Sequence, residues 1–470
     1  MFKKKIVQCL NKDNNEKIEL PYDYLIYSAG IETVKPEFTY PSTPLISSIY
    51  SPEDSKYFRQ AVQKGKIEKA VVIGGGYEGC GMIETLITLW GIEVTLIEKE
   101  KFLLNSFLDP EISSFVKSCI PQNKVKLLLS TSVDKIELNE NSKLVLSLDN
   151  GQKIVTDFVF YCLGVKPNTK LAEKSNIKIG KSCGIIVDEQ MRTNIPNIWA
   201  AGDCVEIKNL ISNKPDNFLF GALSNKMARV AADSIAGRNA VFKGSTGALG
   251  LTLFNNTICS IGLSEKKAGE FGFETGTVIG SMPDRAEYHP EVKPLIGKLI
   301  YEKPGLKLLG LQLAGEGEIK RYLDTFSVLL SLGKTVNDLI NLEQGYEFIH
   351  SSSISPLNFL GAMAINQEED GIKNAGPIQA SSFKGTFVDL REDAELSIAP
   401  FPEKSVHISS SDIRTKVNNF NHDNELMFVC GKGPRGYEAA RLFKNNGYKN
   451  VSYLGAGSFL YNRIKKMLSP

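Results

Sequence analysis

The stretch VVIGGGYEGCG, Val71–Gly81, decides the fold. Gly74, Gly76 and Gly79 stand at G-x-G-x-x-G spacing directly after an apolar run. That run reads as a buried strand, and EGCGMIETLITLWG after it reads as a helix closing at Gly91. In such a turn the first glycine permits the tight bend and the second lets the backbone approach a pyrophosphate. The third lets the helix pack closely on the strand. The helix N-terminus then offers unpaired N–H groups to phosphate. The next strand, EVTLIEKE, carries Glu98, 24 residues after Gly74, where a carboxylate would bind the ribose hydroxyls of NAD. The alternative is a glycine-rich turn in another kind of α/β protein. Glu98 would repel a 2′-phosphate and so favours NADH, a preference that Lys99 and Lys101 soften. Glu78 suits the helix dipole but sets negative charge beside a pyrophosphate.

Outward from this turn, strands and helices alternate. SPEDSKYFRQAVQKGK, 51–66, predicts a helix capped by Ser51, and KVKLLLS, KLVLSL and DFVFYCLGV supply further strands. This order predicts a parallel sheet with helices on its faces. Residues 1–30 predict a β-meander that ends in a buried strand at Gly30. From about 250 to 345, strands precede a helix, the order of a separate α+β unit. The polar stretch NQEEDGIKNAGPIQASS, 366–382, is the linker candidate, and a final domain of about 90 residues follows it.

At 470 residues the chain predicts two to four domains. A net charge of +2 gives no electrostatic case for nucleic acid or an anionic membrane. No run approaches the ~20 apolar residues of a membrane span. The eight cysteines form no CxxC pair and fit neither a disulfide scaffold nor a zinc site, so the expected setting is a reducing cytoplasm with no metal. Most are expected to be small buried core residues.

A second constellation lies in NIWAAGDC, 197–204, where Gly202-Asp203 ends a buried strand after Thr193. With LPYDYLIYSAG (20–30), DFVFYCLGVKPN (157–168) and NKMARVAADSIAG (225–237), it makes the chain resemble the pyridine nucleotide-disulfide oxidoreductases over about residues 1–365. The resemblance implies FAD and NAD(P)H as cofactors, with Asp203 on the ribityl chain and Gly164 and Gly202 at the cofactor. The nearest likeness is to coenzyme A disulfide reductases and persulfide reductases. AEYHPEVKPLIGKLIYEK (286–303) and GYEFIHSSSISPLNFLGAMAIN (345–366) resemble segments whose tyrosines reach a partner's active site. Tyr288 and Tyr346 keep the aromatic hydroxyls, while His289 and His350 replace neighbouring tyrosines. A homodimer is implied; simple packing at a dimer interface is the other account of these residues.

The last domain resembles a rhodanese, through FVDLRE (387–392), MFVCGKGPRGYEAARLF (427–443) and NVSYLGAGSFLY (450–461). Cys430 would sit at the mouth of a cradle of backbone N–H groups, an environment that lowers a thiol pKa and stabilises thiolate or persulfide. Arg435 would add fixed positive charge.

The expected fold class is therefore α/β: a two-dinucleotide-binding (Rossmann-like) flavoreductase core with an α+β dimerisation domain and an α/β rhodanese domain. The segments are a remnant of the FAD-binding domain at 1–48, a nicotinamide domain at 49–166 and a second FAD part at 167–240. Then come dimerisation at 241–366, a linker at 367–382 and the rhodanese at 383–470. The family pattern has an earlier glycine fingerprint and a flavin-facing cysteine before YDYLIYSAG, so the core is expected to be N-terminally incomplete. Gly81 also stands where the family commonly has glutamate. Three readings follow. The first is an FAD- and NAD(P)H-dependent reductase of CoA disulfide, persulfide or polysulfide, coupled to a sulfur carrier. The second is a Cys430 sulfurtransferase on a non-reducing dimeric scaffold, and the third a degenerate NAD-binding protein without activity.

Overall fold

The computed structural model describes residues 5–121, 124–347 and 349–468. They form two compact units: the chain up to Lys35 with Leu163–Gly247, and Pro36–Cys162 with the chain from Ala248 onward.

In the second unit, a five-stranded parallel sheet runs in the order Ile46–Ser47, Phe158–Tyr161, Lys69–Ile73, Glu93–Ile97, Val125–Leu128. Val71 lies opposite Val159 on one side and Thr95 on the other. Ala70, Val71, Val72 and Ile73 are all buried, as a strand covered on both faces requires. Ser51 caps the helix Pro52–Gln63 by accepting from Asp54 N–H, and Gly91, at φ +65°, ends the helix Tyr77–Trp90.

KLVLSL corrects the parallel expectation. Leu144–Leu148 joins Val133–Leu138 and Lys153–Thr156 in a separate antiparallel sheet. Its burial alternates, with Leu144, Leu146 and Leu148 inside, because only one face of that sheet is covered.

Residues 249–315 build a five-stranded antiparallel sheet, in the order Leu249–Leu253, Asn256–Gly262, Leu308–Gly315, Pro294–Glu302, Thr275–Pro283. Helices Lys320–Ser331 and Pro356–Asp370 pack on it. The last part is a five-stranded parallel sheet in the order Lys373–Ala375, Val451–Leu454, Leu426–Val429, Thr386–Asp389, Ser405–His407.

The expected linker is not one. Helix Pro356–Asp370 runs into it, Lys373–Ala375 is a paired edge strand, and Pro377–Ser381 is helical. Buried Asn374 accepts from Ile279 N–H at 2.9 Å and donates to Ile279 C=O at 3.2 Å. Polar composition marked a solvent-exposed segment, but its polar groups are spent on hydrogen bonds within the fold. Nor is the last sheet a tethered bead. Ala456, Leu460 and Ile464 of the helix-bearing end share one buried cluster with Ile112, Phe115 and Val116 of helix Pro110–Cys119. Arg463 stacks over Phe115 at 4.6 Å and donates to Ser118 Oγ at 2.6 Å.

In the first unit, Ile6–Leu10 and Lys17–Pro21 form an antiparallel hairpin. The expected meander stops there: Leu25–Tyr27 pairs in parallel with Ile198–Ala200 instead. The strand is half-covered and not buried as expected: Leu25 and Tyr27 pack against the cluster of Met191, Trp199, Val205 and Met227, which the exposed hairpin does not offer, while Ile26 faces outward.

Candidate functional site

The turn after strand Lys69–Ile73 has the geometry its glycines imply. Gly74 sits at φ +108°, and an added Cβ would lie 2.2 Å from Cys162 O. A Cβ on Gly79 would lie 1.8 Å from Gly74 O, so the helix abuts the turn with no room for a side chain. Beside Gly76 the nearest such atom is Glu78 Oε2 at 3.9 Å, which leaves that side of the backbone open to a ligand. Glu98 accepts from Gly75 N–H at 2.5 Å and Glu100 N–H at 2.8 Å, which places its carboxylate against the turn. Glu78, whose charge the sequence left unexplained, accepts from the Tyr50 hydroxyl at 2.8 Å. Gly81 has space for a side chain, since its nearest neighbour for a Cβ is Leu251 Cδ1 at 3.9 Å.

In the first unit, Gly202 takes φ +89° and Asp203 follows, its Oδ1 accepting from Ser224 Oγ at 2.8 Å. Ser224 lies in the first turn of helix Gly221–Ile235, so the aspartate stands at the positive end of that helix. Gly164 takes φ +92°, and its carbonyl accepts from Val34 N–H at 3.0 Å.

Cys430 follows strand Leu426–Val429 and precedes helix Pro434–Asn445. Its thiol is deeper than the expected mouth: the residue is 1 % exposed and forms the floor of the loop. Sγ accepts from Gly433 N–H at 3.0 Å, and Gly433 reaches this position at φ +118°. Behind the loop, Ser458 N–H donates to Cys430 O at 2.8 Å and Phe459 N–H to Gly431 O at 3.0 Å. Both donors begin helix Gly457–Leu468. A Cβ on Gly457 would lie 2.4 Å from Gly431 O, so this approach needs glycine.

Arg435 stands beside Cys430 but is not a free cation. Its guanidinium makes a two-pronged pair with Glu395, at 2.8 and 2.6 Å. That fork holds the Glu395 carboxyl below its ordinary range and raises Arg435 further. Lys432 pairs with Glu287 at 2.5 Å, which joins the loop to the residue before Tyr288. Neither glutamate was legible as a partner: Glu395 lies 40 residues from Arg435 and Glu287 145 residues from Lys432. The only local signal for Glu395 is its place as N3 of the capping box headed by Glu392.

The expected site residues thus fall into groups. Gly74, Gly76, Gly79 and Glu98 come together, Gly202 and Asp203 adjoin, and Cys430 and Arg435 face one another. Tyr288 and Tyr346 are 72 % and 63 % exposed on the second unit. Near them, His289 Nδ1 accepts from Glu291 N–H at 3.2 Å, and His350 lies 3.7 Å from Glu347.

Five of the eight cysteines are buried, among them Cys80, Cys162 and Cys259. Burial pushes the thiols of Cys162 and Cys259 up to about 12 and that of Cys80 higher still, which keeps them protonated and unreactive. Among the described residues, no helix is long and apolar enough to cross a membrane, and no group of three His, Cys, Asp or Glu side chains is placed to hold a metal.

Known proteins carry the same arrangement. The family profile of pyridine nucleotide-disulphide oxidoreductases matches residues 1–221, that of their dimerisation domain 250–345, and that of rhodanese-like domains 373–462. A solved NAD-dependent persulfide reductase from A. fulgidus is 32 % identical, with a TM-score of 0.90 over 98 % of this chain and 83 % of that one. An NADH oxidase of Methanocaldococcus jannaschii is 29 % identical over 77 % of this chain and 79 % of its own. A CoA-dependent NAD(P)H sulfur oxidoreductase of Pyrococcus furiosus is also 29 % identical, over 71 % of this chain and 75 % of its own. The chain is an oxidoreductase that belongs to the pyridine nucleotide-disulphide oxidoreductase family and carries a rhodanese-like domain.

Proposed function

We propose that the protein uses NAD(P)H to reduce a persulfide, polysulfide or CoA-type disulfide, with Cys430 carrying the sulfane sulfur. The observation that carries the reading is the Cys430 thiol, accepting from Gly433 N–H at 3.0 Å in the same packed unit as the Gly74–Gly79 turn. The relatives named as sulfur and persulfide reductases support the same substrate class.

The family works with FAD and NAD(P)H. The open backbone beside Gly76 fits the nicotinamide pyrophosphate, with Glu98 at the ribose. The carboxylate of Asp203 and the helix end behind it fit the ribityl side of FAD. When bound, FAD supplies two-electron transfer between nicotinamide and a sulfur–sulfur bond. The remaining roles belong to the chain. Gly433 N–H stabilises charge on the Cys430 sulfur, and the helix Gly457–Leu468 fixes the loop carbonyls. Burial denies water access to the bound sulfur.

The matched dimerisation domain supports a homodimer in which Tyr288 and Tyr346, exposed on this chain, face the partner's site. The test is NADH-dependent sulfide release from a persulfide, with the flavin absorbance followed in parallel. Activity that requires Cys430 and bleaches the flavin bears the reading out. A protein that moves sulfur through Cys430 without consuming NADH would instead be the sulfurtransferase, a reading favoured by the burial of Cys80, Cys162 and Cys259.

A further inference from the structure

Tyr288 and Tyr346 stand on separate segments of the second unit, and one side chain ties those segments together. Arg321, in the first turn of helix Lys320–Ser331, donates from Nη2 to Asp284 O at 3.3 Å and to His350 O. Asp284 lies four residues before Tyr288, and His350 four residues after Tyr346. The same nitrogen donates to the Tyr322 hydroxyl at 2.7 Å, and the guanidinium lies over the Tyr322 ring at 4.8 Å. Tyr322 is itself buried, so the clamp stands on a fixed base.

Both carbonyls belong to closed turns. Asp284 is fully buried, and its carboxylate accepts from Lys293 N–H at 2.8 Å and from Arg285 Nε at 3.1 Å. Its own N–H donates to Lys293 O at 3.0 Å, which shuts the base of the hairpin between strands Thr275–Pro283 and Pro294–Glu302. A Cβ on Gly317 would lie 2.5 Å from Asp284 Cβ, so the base has no room to shift. At the other end, His350 N–H donates to Glu347 O at 3.0 Å, and Glu347 N–H donates to the buried Ser351 Oγ at 3.1 Å.

Stability alone does not account for an arginine here. Its Nε is buried and meets no acceptor among the described residues, and an orphaned buried donor costs stability. What the guanidinium gives in return is a rigid planar group that holds two backbone carbonyls from segments far apart in the chain. We propose that Arg321 is a positioning residue, which fixes the Tyr288 and Tyr346 segments against one another so that both hydroxyls reach the substrate in one geometry. The proposal rests on the reading that both tyrosines face the partner's site.

The experiment uses the full-length protein loaded with FAD, with NADH and coenzyme A persulfide as substrates. Arg321→Gln is expected to lower kcat for persulfide reduction about tenfold, the worth of one hydrogen bond to a charged group. The rate at which NADH bleaches the flavin should not change. Hydrogen exchange should rise together in the peptides that contain Tyr288 and Tyr346. In a Tyr288→Phe/Tyr346→Phe background, itself slow in persulfide reduction, Arg321→Gln should cost nothing further. An unchanged kcat in Arg321→Gln overturns the proposal, as does an equal loss with and without the tyrosine hydroxyls, or exchange that rises in one segment only. Should the glutamine variant not fold, Arg321→Lys, which keeps the charge and loses the planar group, goes through the same cycle. If the wild type reduces no persulfide, or the double tyrosine variant works as well as the wild type, the reading beneath falls with the proposal. Tyrosines that matter while Arg321 does not sink the positioning role alone.

Discussion

Leu460→Ala tests whether the rhodanese-like sheet and the parallel sheet that carries the Gly74–Gly79 turn fold as one body. Leu460 is fully buried, in a cluster that also contains Ile464 from its own helix, Ala456 just before that helix, and Ile112, Phe115 and Val116 from helix Pro110–Cys119. Truncating a buried leucine in such a core costs about 2–5 kcal/mol, the lost transfer energy plus the cavity left behind. At 1.4 kcal/mol per decade this corresponds to about thirty- to several-thousand-fold more frequent opening of the affected region. The assay is native-state hydrogen exchange read peptide by peptide. Helix Gly457–Leu468 must lose protection in either picture. The fused core requires that helix Pro110–Cys119, over 300 residues earlier, lose protection with it and by a similar factor. Faster exchange confined to residues after about 370, with helix Pro110–Cys119 unmoved, would refute the reasoning. The loss should be small for Ile464→Val, about 0.5–1.5 kcal/mol at the same interface.

Gly79→Val should abolish nicotinamide binding, because its Cβ would fall 1.8 Å from Gly74 O and displace the turn; NADH fluorescence titration checks this. Asp203→Ala should lower the flavin content of the purified protein, measured by absorbance after release, by removing the carboxylate that Ser224 orients. Asp157 should dominate part of the acid limb of stability. Burial of its carboxyl opposes ionisation, but Lys143 and the N–H groups of Glu68 and Lys69 outweigh it and hold the pKa below the ordinary 3.8. Stabilisation from this group is thus complete above that value and is lost as pH falls through the lower folded one. Asp157→Asn should therefore destabilise at neutral pH and flatten the denaturation curve below about pH 4, as read by chemical unfolding at stepped pH.

What could be read from the sequence was local. The glycine turn and its strand-end acid, the Ser51 cap and the Gly91 stop all depend on residues within about one strand and helix of each other. The Cys430 loop was legible for the same reason: strand, glycine loop and helix are consecutive. Misreadings came from elements whose partners lie far along the chain. Leu144–Leu148 looks like any apolar strand until its alternation is weighed, and then it belongs to a sheet with one covered face. Leu25–Tyr27 follows a hairpin but pairs with Ile198–Ala200, some 170 residues on. The segment 366–382 looked like a linker because its polar residues outnumber its apolar ones. Buried Asn374 and half-buried Gln367 are instead donors and acceptors within the fold, with Gln367 Nε2 donating to Thr277 O at 3.1 Å and Oε1 accepting from Asn374 N–H at 2.9 Å. Charge pairing was the least legible feature, since nothing in GKGPR announces that Glu287 and Glu395 answer its two cations.

Helix Gly457–Leu468 has two ends with different tasks. Its first N–H groups grip the carbonyls of Cys430 and Gly431, and its apolar side enters the core shared with helix Pro110–Cys119. A recombination event that swapped this domain for another of the same class would have to carry a matching helix, or lose loop geometry and docking together. The domain that looks most portable in the sequence is therefore poorly portable in practice. Cut free, it would bare Leu460 and Ile464 to water and invite aggregation. Modularity written in the gene has been given up in the folded chain, and the surrender is concentrated in one turn that only glycine, at position 457, can make.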